Sequence, residues 1–233
     1  MYRTNDLRNR VQELRTSVVL EFEKRLWLKN PDAVVAGVDE AGRGCLAGPV
    51  VAGAVSMPVD AAERLLAGEL AGLTDSKQLT AARRDYYFSR LTALPEVSWA
   101  TGMCSAEEID RINILAATHL AMRRAVGALP VRPEHLLVDG LPVKGLQCAS
   151  TAIVHGDGKS FLIAAASVIA KVTRDRIMQE LDARFPQYNF AVNKGYGVNE
   201  HVAALFRYGS CEEHRHTFRP VQDADQKLPG FDY

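Results

Sequence analysis

The stretch Val35-Ala36-Gly37-Val38-Asp39-Glu40-Ala41-Gly42-Arg43-Gly44 puts adjacent carboxylates at the end of a short apolar run, then glycines around an arginine. Carboxylates at a strand end suit hard divalent cations. Glycines let backbone come close to a ligand, and a guanidinium matches phosphate oxygens. The combination points to metal-dependent work on a phosphodiester. Further acids stand in comparable settings. Asp139 follows Leu136-Leu137-Val138 and precedes Gly140, the end of a buried run where α/β folds place ligand groups. Asp157 lies in His155-Gly156-Asp157-Gly158-Lys159, among turn residues. Asp39, Glu40, Asp139 and Asp157 come from three separate segments, as a two-cation site for in-line displacement requires. Each also has a plain reading as a solvated turn carboxylate. Neighbours in a regular strand face opposite sides, so Asp39 and Glu40 share one site only if the strand ends or bulges there.

Cationic and hydroxyl groups are spaced to accompany these acids. Ser167, Lys171 and Arg174 follow one another at steps of four and three, hence on one helix face. That face either binds phosphate or is a solvated surface with Lys171 paired to Asp175 one turn on. Arg174 has no acid at the matching positions after it. Lys77, in Thr74-Asp75-Ser76-Lys77, and Arg43 are further phosphate candidates. Tyr196, between Gly195 and Gly197, is poorly placed for core packing. It is well placed to offer its ring to a sugar or base and its hydroxyl to a 2′-OH; the alternative is a turn tyrosine lying on the surface. His201, His214 and His216 lack partner cysteines and the helical spacing of a metal site, so they read as polar surface groups.

The elements that must position these residues follow from periodicity. Leu7, Val11, Leu14, Val18, Phe22 and Leu26 predict an amphipathic helix over 4–28, broken by Asn30-Pro31. Strands are predicted over 33–39, 48–56, 97–102, 135–138 and 151–155. Helices are predicted near 60–70 and 80–93, and from a Ser105/Glu108 capping box to about Gly127. A long helix spans about Ser160 to Phe185, with Ile163, Ala166, Ala170, Ile177 and Leu181 as its buried stripe, and another helix lies near 198–208. Strands first, then strands alternating with helices, indicate an α/β domain with a mixed sheet. The expected division is an N-terminal helical extension (1–30), a catalytic domain (31–188) and a C-terminal helical subdomain with tail (189–233).

Composition narrows the classes. The chain has 233 residues and zero formal net charge, so a nucleic-acid partner must meet a local basic face. The four cysteines are far apart with no C-x-x-C pair, which argues against a zinc knuckle or a disulfide framework and fits a reducing cytosol. No apolar run nears the ~18 residues of a membrane span, and the polar N-terminus lacks a signal-like apolar region. A cytoplasmic monomer is the expectation.

The residues 37–44, continued by Leu46-Ala47-Gly48-Pro49-Val50-Val51, resemble the signature of type 2 ribonuclease H, bacterial ribonuclease HII. Asp75-Ser76-Lys77, Val138-Asp139-Gly140, the segment from Ala164 to Asp175, and Gly195-Tyr196-Gly197 followed by Glu200-His201 match its other elements in order over about 33–220. The resemblance implies a ribonuclease H-like mixed β-sheet flanked by helices, with a C-terminal helical extension. It implies cleavage of the RNA strand of RNA–DNA hybrids and incision 5′ to single ribonucleotides in duplex DNA. Mg²⁺ or Mn²⁺ at Asp39, Glu40, Asp139 and Asp157 would support two-metal-ion hydrolysis, leaving 5′-phosphate and 3′-hydroxyl ends. Gly42, Arg43, Gly44 and Tyr196 match the elements that read the 2′-OH.

The N-terminal helix stands outside this pattern. The segment Cys211 to Pro220 is a looser match to the basic, His-containing late element, and Glu212 and Glu213 would weaken a phosphate contact there. Only 38 residues precede Asp39, too few for the extra domain of type HIII enzymes. Two other classes compete. A junction resolvase or integrase-like nuclease of the same fold would need no 2′-OH reader. A metal-free binding module would have to hold phosphate beside uncompensated carboxylates.

Overall fold

The computed structural model describes residues 20–226. Of the helix expected over 4–28, only the part from residue 20 lies within the described residues, as α1 (Glu21–Trp27); the tail from 227 onward lies outside them. The chain continues through β1 (Val35–Ala41), β2 (Val50–Ser56), α2 (Val59–Ala67), α3 (Ala81–Ala93), β3 (Ser98–Cys104), α4 (Ala106–Ile112) and α5 (Ile114–Gly127). It ends with β4 (His135–Asp139), β5 (Ala149–Ile153), α6 (Phe161–Arg184), α7 (Phe190–Asn193), α8 (Asn199–Tyr208) and α9 (Arg219–Asp225). The strands form one mixed sheet ordered β3-β2-β1-β4-β5, antiparallel from β3 to β1 and parallel from β1 to β5.

β2 is buried at every position because helices cover both sheet faces. On one face α6 packs with α2 and α3 through Leu65, Leu91, Phe161 and Ile169. On the other, Ala117, Ala121 and Ala125 of α5 meet Val50, Ala52 and Ala54. α6 crosses the sheet at very close range. A Cβ at Gly37 would stand 2.1 Å from the Leu162 carbonyl carbon, and one at Gly53 2.4 Å from the Ala166 carbonyl oxygen. Only glycine admits the helix at those crossings. The expected one-sided stripe gives way to burial on all sides from Phe161 to Ala170. α1 helps to close this end: the Glu23 carboxylate accepts from Ser160 Oγ at 2.6 Å and from the Leu162 amide at 3.0 Å, capping the first turn of α6. Burial pushes the Glu23 pKa up.

Some boundaries differ from the sequence expectation for local reasons. The capping box forms, with Glu108 N to Ser105 Oγ at 3.2 Å and Ser105 N to Glu108 Oε2 at 3.1 Å. The helix it opens breaks at Asn113, whose φ of 67° lies in the left-handed region asparagine tolerates and whose side chain caps Ala116 N at 3.1 Å. β5 ends at Ile153 rather than running to 155, because His155 turns the chain with φ of 56°.

The late segment packs on the far end of α6 through Met178, Leu181, Tyr188 and Phe190. His201 and His214 are fully buried there, which corrects their reading as surface groups; His216 alone stays exposed, 2.8 Å from Asp225. Burial, with His201 adjacent, lowers the His214 pKa to about 4. The unfolded imidazole takes up its proton near pH 6.5 and the folded one resists it. This contribution is therefore complete above pH 6.5 and is lost as pH falls to 4, by about 3 kcal/mol over the window. The difference in unfolding free energy between wild type and His214→Gln, followed by denaturant titration from pH 7 to pH 4.5, is expected to shrink accordingly. A constant difference would refute the shift.

Candidate active site

Parallel pairing of β1 with β4 runs from Val35↔His135 to Val38↔Val138 and stops. The next residues of the two strands are Asp39 and Asp139, so the register itself sets two carboxylates side by side at the C-terminal edge. Asp139 is paired with Ile153 of β5, and the Gly156–Gly158 turn follows directly, delivering Asp157 to the same edge. One oxygen each from Asp39, Asp139 and Asp157 lie within 4.8 Å of one another. Hydrogen bonds aim two of them: Asp39 Oδ1 accepts from the Glu40 amide at 2.7 Å, and Asp139 Oδ1 accepts from the Gly156 amide at 2.6 Å.

Glu40 does not join this compact triad. β1 neither ends nor bulges at Asp39; its antiparallel register with β2 continues through Glu40↔Ala52 to Ala41↔Val51. Alternation then sends Glu40 off the face that carries Asp39. It sits 3.7 Å from Arg43 Nη1, within electrostatic reach of Asp139.

The electrostatics are those of a cluster short of positive charge. Burial raises the Asp39 pKa well above the usual carboxylate range, and the charges of Glu40, Asp139 and Asp157 raise it further. Burial and Asp139 raise Asp157, and burial raises Glu40. Lys77 Nζ stands 3.6 Å from Asp157 Oδ2. Its burial favours the neutral amine, yet the surrounding carboxylates outweigh this and raise its pKa. Clustered hard oxygens under mutual repulsion fit a hard divalent cation such as Mg²⁺ or Mn²⁺ and not a soft one.

The helix face reading is corrected. Ser167 is buried and donates to Ser76 Oγ at 2.7 Å. Lys171 pairs with Asp175 at 2.7 Å. Arg174 is buried, and its guanidinium donates to the carbonyls of Pro49 (2.9 Å), Lys194 (2.8 Å) and Ala47 (3.0 Å). Ser167 and Arg174 are taken up by internal partners because α6 is enclosed there, while Lys171, only part-buried, makes the pair with Asp175 that the sequence offers as the alternative to phosphate binding. Arg174 instead braces the loop that follows Gly44: Gly42 has φ of 91°, and a Cβ there would fall 1.9 Å from Arg174 Nε.

Sequence reasoning missed Arg215. It is fully buried and donates to the carbonyls of Gly42 (2.7 Å), Arg43 (3.0 Å) and Gly48 (2.9 and 3.1 Å). Its segment stands out only as a loose match to a basic, His-containing element, and the inward role is hidden because its partners lie far upstream in the chain. Glu212 and Glu213, expected to disturb a phosphate contact, both face Arg184. Tyr196 is part-exposed beside these loops: the Gly195 carbonyl accepts from Leu46 N at 2.8 Å, and Cys45 neighbours the Tyr196 hydroxyl, whose pKa burial raises.

Comparison with known proteins agrees with this architecture. The sequence model of the family described as Ribonuclease HII matches residues 36–221. A ribonuclease HII of Geobacillus thermodenitrificans is 48% identical over 219 residues, spanning 93% of this chain and 80% of that one. One from Desulfitobacterium hafniense is 47% identical over 212 residues, spanning 91% and 78%. The crystal structure of the ribonuclease H2 from Pyrococcus horikoshii superposes with a TM-score of 0.70 at 28% identity, covering 82% of this chain and 97% of that one. With its mixed sheet, its edge of converging carboxylates and a family match over most of its length, this chain belongs to the ribonuclease HII family of endoribonucleases.

Proposed function

We propose that this protein cleaves the RNA strand of RNA–DNA hybrids and incises duplex DNA on the 5′ side of single embedded ribonucleotides. The observation that carries the reading is the seating of Asp39 and Asp139 by strand register and of Asp157 by the following Gly156–Gly158 turn, beside a loop and a tyrosine able to inspect a sugar. Asp39, Asp139 and Asp157, with Glu40 at their margin, would hold divalent cations. When bound, such ions supply Lewis-acid polarisation of the phosphodiester and an activated water. The protein side of the work is positional. Asp39 and Asp139 keep their oxygens aimed through the Glu40 and Gly156 amides. Lys77 offsets part of the local negative charge and can meet a backbone phosphate. The Gly42-Arg43-Gly44 backbone, held from behind by Arg174 and Arg215, offers polar groups to the ribose, and Tyr196 offers its hydroxyl to the 2′-OH that distinguishes RNA from DNA. The products are a 5′-phosphate and a 3′-hydroxyl.

A labelled DNA duplex with one ribonucleotide, mapped at nucleotide resolution, tests this. Incision on the 5′ side of the ribonucleotide is expected with Mg²⁺ or Mn²⁺ and none in chelator. Equal cutting of an all-DNA duplex would point to a resolvase-like enzyme. Tyr196→Phe is expected to lose about tenfold in kcat/KM on this substrate, the order of one hydrogen bond to a discriminating group, with an unchanged melting temperature. Parallel loss of stability and activity would remove Tyr196 from the site.

A further inference from the structure

His201 and His214 belong to no part of the site described above, yet both are fully buried and bonded to each other. Their hydrogen bonds admit a single proton arrangement. His201 Nδ1 lies 2.8 Å from the Tyr196 carbonyl, which can only accept, so Nδ1 carries the proton. His214 Nδ1 receives the Cys211 amide at 3.0 Å and faces the Cys211 thiol at 3.2 Å, so that nitrogen is bare. The 3.1 Å contact between the Nε2 atoms is then a bond from His214 Nε2–H to the bare His201 Nε2. Both rings are neutral. A proton added to His201 would set two N–H groups against each other, and one added to His214 would oppose the Cys211 amide.

We propose that this one-way chain, Cys211 to His214 to His201 to Tyr196, is a positioning device for the tyrosine that reads the 2′-hydroxyl. Tyr196 O also accepts from Val198 N at 2.9 Å, so His201 is not needed merely to satisfy it. What His201 adds is a tie to a second anchor. The segment carrying His214 pairs with the loop behind Gly44: Arg215 N donates to Leu46 O, and Gly48 N donates to Glu213 O, each at 2.8 Å. The pair thereby refers the tyrosine to the same strap that holds the Gly42-Arg43-Gly44 backbone through Arg215. Apolar rings insulate it: Tyr188 stands 4.7 Å from the His214 ring centroid, and Phe190 5.3 Å from that of His201. The titratable groups facing the pair are the Tyr188 hydroxyl, bonded to Gly209 O at 2.7 Å, and the Cys211 thiol, with His216 and Asp225 beyond.

The functional half of this inference rests on Tyr196 as the proposed 2′-hydroxyl reader; the proton order does not. Nitrogen-15 NMR of the imidazoles in the full-length protein is expected to show His201 as the Nδ1–H tautomer and His214 as the Nε2–H tautomer at pH 7. The opposite tautomer at either ring, or rapid averaging, would overturn the chain. In kinetics on the single-ribonucleotide duplex, asparagine places its amide where the imidazole Nδ1 sits and glutamine where Nε2 sits. His201→Asn is expected to stay within about threefold of wild type, and His201→Gln to lose about tenfold in kcat/KM, although both lose the ring packing and melt lower. In a Tyr196→Ala background, His201→Gln is expected to cause no further loss. Equal activity loss in the two His201 variants, or additive loss in the double variant, would overturn the positioning role and leave Tyr196 as reader. An unimpaired Tyr196→Ala enzyme would overturn the reader assignment and the positioning role with it, while the NMR result would still decide the proton order.

Discussion

Asp39→Asn is expected to reduce cleavage of an RNA–DNA hybrid by on the order of a thousandfold, and to raise the melting temperature measured in chelator. Both effects come from the same crowding. Asp39 is 2% exposed and shares a space of 4.8 Å with oxygens of Asp139 and Asp157. Asparagine keeps the shape and the oxygen that accepts from the Glu40 amide. It removes a charge whose burial and like-charged neighbours already disfavour it. Without cations, that removal relieves repulsion, by about 1–2 kcal/mol, or roughly 2–8 °C for a chain of this size. With cations, the ranking reverses. Wild type gains stability by mass action from ions bound only in the fold, and the variant, lacking a ligand, gains less. Melting curves with EDTA and with Mn²⁺, beside a hybrid cleavage assay, make the test. Near-full activity in the variant, or a lower melting temperature in EDTA, would show that Asp39 is not part of a cation site.

Arg215→Met is expected to cost about 3–5 kcal/mol of stability, a fall of roughly 10 °C in melting temperature, and to raise KM for the hybrid. Burial lowers the guanidinium's pKa to about 10, so it is charged at neutral pH. That charge is distributed over the carbonyls of Gly42, Arg43 and Gly48, with the Phe218 ring 5.2 Å away. Methionine fills much of the volume but leaves those carbonyls without their donor in a buried setting. The loop between Gly42 and Gly48 then loses its rear support, and its backbone no longer meets the substrate in one geometry. Lysine is not expected to rescue, because a single ammonium cannot span carbonyls that the planar fork reaches together. A variant with unchanged melting temperature, or full rescue by Arg215→Lys, would show that the guanidinium is not the brace described.

Much of the fold was legible in the sequence because its signals are local. The apolar run before Asp39, the Leu-Leu-Val run before Asp139, and the capping box at Ser105 each specify an element through neighbours within a few residues. The acids of the site were legible as candidates for the same reason: Asp139 ends its strand, Asp157 sits in the turn after one, and Asp39 closes an apolar run, although β1 continues past it to Ala41. Periodicity was a poorer guide where a helix is enclosed. The spacing of Ser167, Lys171 and Arg174 correctly places them on one face of α6, but spacing carries no information about what covers that face. Here it is Ser76, the loop after Gly44 and the Lys194 carbonyl. The histidines erred in the same direction: polar residues in a polar segment look solvated until their partners are known.

The amino-acid sequence by itself determined the five strands, the larger helices and their order, because those are decided by short-range periodicity and turn chemistry; the break at Asn113 and the short helices Phe190–Asn193 and Arg219–Asp225 emerged only in the structure. Only the tertiary structure decided that Glu40 lies outside the compact triad while its charge still acts on Asp39, since that depends on β2 holding β1 in register past the acid pair. It alone decided that Arg174, Arg215, His201 and His214 work inward on backbone rather than outward on substrate. A charged or polar side chain goes where its hydrogen bonds can be met, and for Arg215 that place is the Gly42 carbonyl, 173 residues away along the chain.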